Sequence, residues 1–284
     1  MIDEPSLPID LMGLFADGNT TGRTLSVSLP PGRAVVSDEG KGDAPAFWLS
    51  DRPALAGMWA RLRAEHARSG LWPLLLDGRR HDEDFRPWGN GEVLPEEMSS
   101  PDLHDPADLL SSWWDSHTRI DDDDMLTAAE RLAVTAPYGR RWPGLTSPPA
   151  VRTDPDRASD DFADELLTTC GSMRLGLVAA DRGADAVTVA GWTGPTNYTN
   201  DTAEISAVLR DWEHRFGARV VGVGFATLFL SVAAPPADRE EALAVAAEHF
   251  AFCPDNIWQG REPAPLGAYA ERLIDNGSWA FWWD

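Results

Sequence analysis

Thirteen tryptophans in 284 residues place the tightest limit on how this chain can fold. Each indole can bury on the order of 150–250 Å² and carries an N–H that needs a partner once it leaves water. With hydrophobic residues at 43%, the chain must build a packed core, and wholesale disorder is excluded. Six of the tryptophans lie from Trp192 onward, so the aromatic demand is concentrated in the final third.

Charge narrows the function classes. There are 46 acidic and 24 basic side chains, a formal charge of -22. Residues 1–150 hold 25 acids and 14 bases and residues 151–284 hold 21 and 10, so each part carries -11 and no acidic tail stands apart. Phosphate contacts need clustered Lys and Arg, so nucleic acid and anionic membrane surfaces are not expected partners. An even acidic surface aids solubility, and it can also capture a basic protein. Lys41 is the only lysine, a bias attributed to a high-GC bacterial genome.

Cys170 and Cys253 are the only cysteines, which fits a reducing cytoplasm rather than a disulfide framework. Met1 to Asp10 is acidic and proline-containing, unlike a signal peptide. The longest apolar runs, Leu71–Leu76 and Thr227–Ala234, are far too short to span a bilayer. A cytoplasmic protein is expected.

The pattern along the chain predicts mixed secondary structure. Alternation at Leu25, Val27 and Leu29, then Pro30-Pro31-Gly32 and Arg33–Val36, predicts two strands joined by a turn. Pro53 predicts a first helical position, with Leu55, Met58, Trp59 and Leu62 inward, Gly70 as the stop and Leu71–Leu76 as a buried strand. Asp77–Ser100 reads as a long loop, Asp105-Pro106 as the start of a helix through Trp113 and Trp114, and Asp121–Asp124 as a further cap. Pro137–Asp156 reads as a linker, and Ser159 opens a short helix. Arg174–Ala179 and Ala186–Ala190 read as strands, with a helix over Ala184–Trp192 as the alternative for the second. Asp201 with Glu204, and Asp238 with Glu241, predict capped helices. The first has an apolar face of Ile205, Val208, Leu209, Trp212 and Phe216 and ends at Gly217. Arg219–Phe225 and Thr227–Ala234 predict an antiparallel pair, and Leu266, Tyr269, Ala270, Leu273 and Ile274 form another helical face. The expected class is therefore α+β, with mixed β-sheets flanked by amphipathic helices in two halves. Residues 1–98 form an N-terminal region, 99–170 a helical connecting segment and linker, and 171–284 a C-terminal domain.

The last third carries an ordered series of motifs. They are Gly191-Trp192 with Asn197, Val208-Leu209-Arg210-Asp211-Trp212, Arg215-Phe216-Gly217-Ala218, Pro235-Pro236, Glu240-Glu241-Ala242, Phe252-Cys253-Pro254-Asp255, Gln259-Gly260 and Trp279-Ala280-Phe281-Trp282-Trp283-Asp284. Over about residues 172–284 this resembles the bacterial domain-of-unknown-function family 4253. The upstream half looks like the N-terminal extension of high-GC bacterial members. The resemblance implies no established activity. Where relatives carry an Asn-x-Cys-Pro type segment, this chain has Asn197-Tyr198-Thr199-Asn200, so a second cysteine for a shared redox or metal site is missing.

Cys253 closes a helix, where the dipole disfavours a thiolate, so it reads as a buried small hydrophobe before it reads as a nucleophile. His249 and Cys253 have i, i+4 spacing, but no Cys-x-x-Cys or His-Glu-x-x-His completes a metal set. Neither a metal nor a cofactor is expected. Asp255 and Gln259 sit among aromatics just beyond a helix end, where they can orient a ligand or tie that end to a loop. In the terminal segment alternation sends Trp279, Phe281 and Trp283 to one face and Trp282 to the other. P-loop, dinucleotide-fingerprint and Gly-x-Ser-x-Gly signatures are absent.

Trp192, Asn197, Asp201, Trp212, Cys253, Asp255, Gln259 and Trp283 are therefore the candidate binding residues. The expected function is a non-catalytic protein- or ligand-binding module, immunity-like or regulatory, whose partner is a protein with a basic surface or a small molecule. The alternative is a small-molecule enzyme with Asp255 or Asp201 as general base and Cys253 nearby.

Overall fold

The computed structural model describes residues 7–16, 18–40, 43–79, 84–120, 127–259 and 265–284. In chain order the elements are α1 (Ile9–Met12), β1 (Gly32–Val36), β2 (Pro45–Pro53), α2 (Met58–Ser69), β3 (Leu71–Leu76), α3 (Pro106–His117), α4 (Ala128–Val134) and α5 (Pro155–Thr169). There follow β4 (Arg174–Ala179), α6 (Ala186–Val189), α7 (Thr202–Phe216), β5 (Arg219–Val223), β6 (Thr227–Ser231), α8 (Arg239–Phe252), α9 (Asp255–Trp258), α10 (Leu266–Glu271) and β7 (Ser278–Trp282).

The strands form one seven-stranded mixed sheet in the order β1-β2-β4-β3-β5-β6-β7. Among the described residues only β3 and β5 pair in parallel, through Leu75 with Gly222 and Leu76 with Val223. The fold is α+β, as expected, and the sheet runs through both halves of the chain. β4 lies between β2 and β3, and β3 in turn lies between β4 and β5.

Paired residues of neighbouring strands share a face. At the β7 end, Trp279 pairs with Leu230 and Phe281 with Leu228, and these side chains are buried against Trp212 of α7 and His249 and Phe252 of α8. Phe229 and Ala280 point the other way, towards α5. Gly222 on that side leaves room for Leu166 of α5, because a Cβ there would lie 3.1 Å from the leucine methyl.

Most predicted elements stand. Asp105 caps α3 through the Ala107 and Asp108 N–H groups, Asp238 caps α8 through Glu240 and Glu241, and Gly70 and Gly217 end α2 and α7 in the left-handed region at φ 71° and 59°. Trp279, Phe281 and Trp283 are buried and Trp282 is exposed, as the alternation predicted.

Several local readings are corrected. Leu25–Leu29 forms no strand, although Leu25 and Val27 are buried, because its alternation packs an irregular segment onto a side core with Trp48 and Leu62. α2 begins at Met58, leaving Leu55 exposed, because the β2 edge continues to Pro53. Ala186–Ala190 takes the helical alternative. α5 begins at Pro155 under an Asp154 cap, four residues before Ser159. Asp201 caps α7 as predicted, through the Ala203 N–H. Thr127, in a capping box with Glu130, caps α4, while Asp121–Asp124 and His81–Glu83 lie outside the described residues.

The Pro137–Asp156 stretch has no regular structure before α5, yet it is pinned. Thr146 gives its N–H to Glu248 and its carbonyl to Arg215, and Arg152 pairs with Asp275.

Candidate functional site

The densest motif folds around a buried carboxylate. Pro254 cannot extend α8, which ends at Phe252, and the chain turns at Cys253 into the short α9 that starts with Asp255. Asp255 is 2% exposed. Its Oδ1 accepts from the Tyr198 hydroxyl at 2.5 Å and from Gln259 Nε2 at 3.1 Å, and its Oδ2 accepts from the Asp284 backbone N–H at 3.0 Å. The carboxylate thus joins the 193–200 turn, α9 and the chain end. Burial first, and the bond to Asp255 next, push the Tyr198 hydroxyl well above the usual phenol range.

An aromatic wall adjoins this centre. His117, the last residue of α3, meets Tyr198, Phe250 and Trp258 edge to face at ring-centroid distances of 5.7, 6.1 and 6.0 Å. Burial lowers the His117 pKa to about 4, so the ring is neutral at pH 7. The Arg131 guanidinium of α4 lies 4.4 Å from the Trp258 ring centroid. Tyr198 is 40% exposed and Trp258 is half-buried, so the wall reaches the surface.

Cys253 lies behind the wall. Its thiol donates to the Trp282 carbonyl at 3.0 Å, and burial pushes its pKa up strongly, so it stays protonated. Asn256, which the sequence argument passed over, holds the outer edge of β7. Its Nδ2 donates to the Ala280 carbonyl at 2.8 Å and its Oδ1 accepts from the Trp282 N–H at 3.1 Å. One side-chain amide therefore does for this edge what a neighbouring strand would do. Those bonds fix the amide orientation and leave the second Nδ2 hydrogen for the Tyr269 oxygen at 3.3 Å. Tyr269 O–H can then donate to His249 Nδ1 at 3.0 Å, which places the His249 proton on Nε2.

Deeper still, Glu248 and Arg215 satisfy one another. Glu248 Oε1 accepts from Thr146 N–H and Arg215 Nη1, and its Oε2 from Trp212 Nε1 and Arg215 Nη2. The remaining guanidinium hydrogens reach Asp211 and the Thr146 carbonyl, so all five donors are used.

Of the residues singled out from sequence, Asp255, Gln259 and Cys253 come together. Trp283 is anchored beside them, its backbone N–H on the Ala226 carbonyl and its ring 5.6 Å from Trp192. The Trp192 indole N–H donates to the Gly224 carbonyl at 3.0 Å. Asn197 is exposed on the turn next to Tyr198. Asp201 and Trp212 stand elsewhere. Asp201 caps α7, accepts the Ser99 N–H at 3.1 Å and faces His104 at 3.7 Å. Burial works to raise its pKa, but the Ser99 and Ala203 hydrogen bonds outweigh this and hold it below the usual range. Trp212 belongs to the Glu248 core. Sequence reasoning missed Tyr198, His117, Asn256 and Arg131. Tyr198 alone had a usable signal, as an aromatic flanked by Asn and Thr beside Asn197.

A separate cleft of about 400 Å³ opens between α5 and the β6–β7 face, lined by Phe162, Leu166, Phe229, Leu273 and Trp279 among others. Among the described residues no three His, Cys, Asp or Glu side chains are grouped to hold a metal ion, and no helix is long and apolar enough to cross a membrane.

Residues 174–284 match the family model of a domain of unknown function, DUF4253. The match takes in β4, Asp255 and its donors Tyr198, Gln259 and Asp284, while His117 and Arg131 come from outside it. No curated protein and no solved structure matches the chain.

Proposed function

We propose that this chain is a non-catalytic binding module of the bacterial cytoplasm, immunity-like or regulatory in role, which meets a protein partner with a basic surface. One observation carries the reading. The groups best suited to chemistry in the DUF4253 segment are committed inward: both Asp255 oxygens accept internal donors and the Cys253 thiol is protonated on a carbonyl. A general base needs a carboxylate in reach of substrate, and a nucleophilic cysteine needs a depressed pKa, which leaves the enzymatic alternative with less support. At the surface the same segment offers Tyr198 and Trp258 in a protein of charge -22, and aromatics dominate binding hot spots.

A photo-crosslinking residue at exposed Asn197, with the same residue at exposed Leu55 as the control, tests this in the native cytoplasm. A basic protein crosslinked from position 197 and not from 55, and lost at high salt, is the expected result. Equal crosslinking from the two positions would remove the reading. The cleft beside α5 favours a second one, a small amphipathic ligand, since its volume lies in the range of ligand pockets.

A further inference from the structure

The outer edge of β7 leaves one stretch of backbone open. In an antiparallel ladder the residues of an edge strand turn their N–H and C=O groups alternately towards the neighbour and away from it. Ala280 and Trp282 face away, since Asn256 takes the Ala280 carbonyl and the Trp282 N–H. Ser278, two residues earlier in the same strand, therefore faces away as well. Its N–H is turned back to Asn276 Oδ1 at 3.1 Å, and the Trp282 carbonyl accepts from the Cys253 thiol. The Ser278 carbonyl and the Ala280 N–H remain, and neither has a partner among the described residues. They border two adjoining clefts of about 400 and 470 Å³, which share Phe162, Glu165, Asn276 and Ser278. Ala280 and Arg272 line the first cleft and not the second. Arg272 is exposed, with its guanidinium 5.1 Å from the Tyr269 ring centroid, and it makes no ion pair among the described residues. Glu165, on the α5 wall, is exposed and makes none either.

We propose that the first cleft is a binding site for a free α-amino acid with an apolar side chain. This deepens the reading of the cleft as a small-ligand site and rests on it. The open backbone groups give the class. In a parallel ladder a residue gives its N–H to one carbonyl of the neighbouring strand and accepts from the N–H two residues further on. The Ser278 carbonyl and the Ala280 N–H have that spacing, so one amino acid opposite Trp279 can fill both. Its ammonium donates to the carbonyl, and its carboxylate accepts from the N–H. The charges stand in the same order. Glu165 lies with Ser278 where the two clefts meet, on the ammonium side, and Arg272 lies with Ala280 on the carboxylate side. The side chain is left to the apolar wall of Leu166, Phe229 and Leu273. Asn256 closes the edge beyond Ala280 and Asn276 closes it before Ser278, so the opening takes a single residue and not an added strand.

Isothermal titration calorimetry of the full-length protein with L-leucine and L-phenylalanine tests the site, with N-acetyl-L-leucine and L-leucinamide as analogues that each lack one charge. Both amino acids should bind, and each analogue should bind about tenfold more weakly than leucine, the order of one charge-assisted hydrogen bond. Glu165→Gln should weaken leucine by about the same tenfold and leave N-acetylleucine unchanged. Arg272→Gln should weaken leucine to a similar degree and leave leucinamide unchanged. Both side chains are exposed, so both variants should fold as the native chain does. A leucine affinity that neither substitution moves would overturn the site. If leucine and both analogues bind alike, the amino-acid site falls and the small-ligand reading of the cleft stands. If none of them binds, both fall.

Discussion

Two clusters in this protein draw on the same four groups, a guanidinium, a carboxylate, an indole and an imidazole. One is Arg215, Glu248, Trp212 and His249, and the other is Arg131, Asp255, Trp258 and His117. In the first, the guanidinium and the carboxylate bond one another directly, Trp212 donates to the same carboxylate, and Glu248 and His249 are fully buried. In the second, the carboxylate takes its bonds from Tyr198, Gln259 and the Asp284 backbone, and the guanidinium lies on the indole at the surface. The inventory is shared, and the partnering differs. In the first cluster all five Arg215 donors and both Glu248 oxygens are used, while the buried His249 Nε2 has no partner among the described residues, and such a carboxylate–guanidinium network rigidifies the core. The open one keeps an aromatic wall that reaches the surface, which is what a recognition surface requires.

The comparison is broken most forcefully at Glu248. Glu248→Ala leaves the Arg215 guanidinium buried without its main partner, and removal of one member of a buried pair costs about 3–5 kcal/mol. It also frees the Thr146 N–H and the Trp212 indole N–H. Chemical denaturation should show a loss of this size. A loss under about 1 kcal/mol would mean that the network is not closed. Glu248→Gln, which retains the shape and some of the acceptors, should be milder.

The histidines come next. Burial lowers His117 from 6.5 to about 4 and His249 to about 3, so both fold in the neutral form. The unfolded chain binds protons more readily than the folded one between these values and 6.5. Stability is therefore fully present above pH 6.5 and falls as the pH drops through about 4, by on the order of 3 kcal/mol for His117. His117→Phe should flatten the stability profile between pH 6.5 and 4, while the slope from His249 continues down to about pH 3. An unchanged profile in the variant would show that His117 is solvated at the surface wall.

Local signals made much of this fold legible. The Asp105, Asp201 and Asp238 caps, the stops at Gly70 and Gly217, and the alternation through Trp279–Trp283 each act within a few residues, so a sequence displays them directly. The insertion of β3 between β4 and β5, residues about 100 and 145 positions distant, has no local signature and depends on which apolar strands find one another. The site divided in the same way. Asp255, Gln259 and Cys253 are close in sequence and emerged together. Their partners Tyr198, His117 and Arg131 are brought in by α3, α4 and the 193–200 turn, and spacing does not reveal them. Arg215 and Glu248, ordinary charged positions on amphipathic helices, become a core pair only when Thr146 is laid across them.

The smallest effect is expected where the open cluster is trimmed by one atom. Tyr198→Phe removes the hydroxyl that donates to Asp255 Oδ1, while Gln259 Nε2 still serves that oxygen and the Asp284 N–H still serves Oδ2. Tyr198 is 40% exposed, so water can replace the lost donor, and the cost should be about 1 kcal/mol, near the ordinary net value of one hydrogen bond. Thermal unfolding of the variant beside Glu248→Ala sets the two clusters on one scale. A Tyr198→Phe loss as large as that of Glu248→Ala would mean that Asp255 is as closed as Glu248, and the distinction between a core network and a recognition surface would collapse. A small loss, with the ring retained against His117, leaves the wall standing for a cation to use.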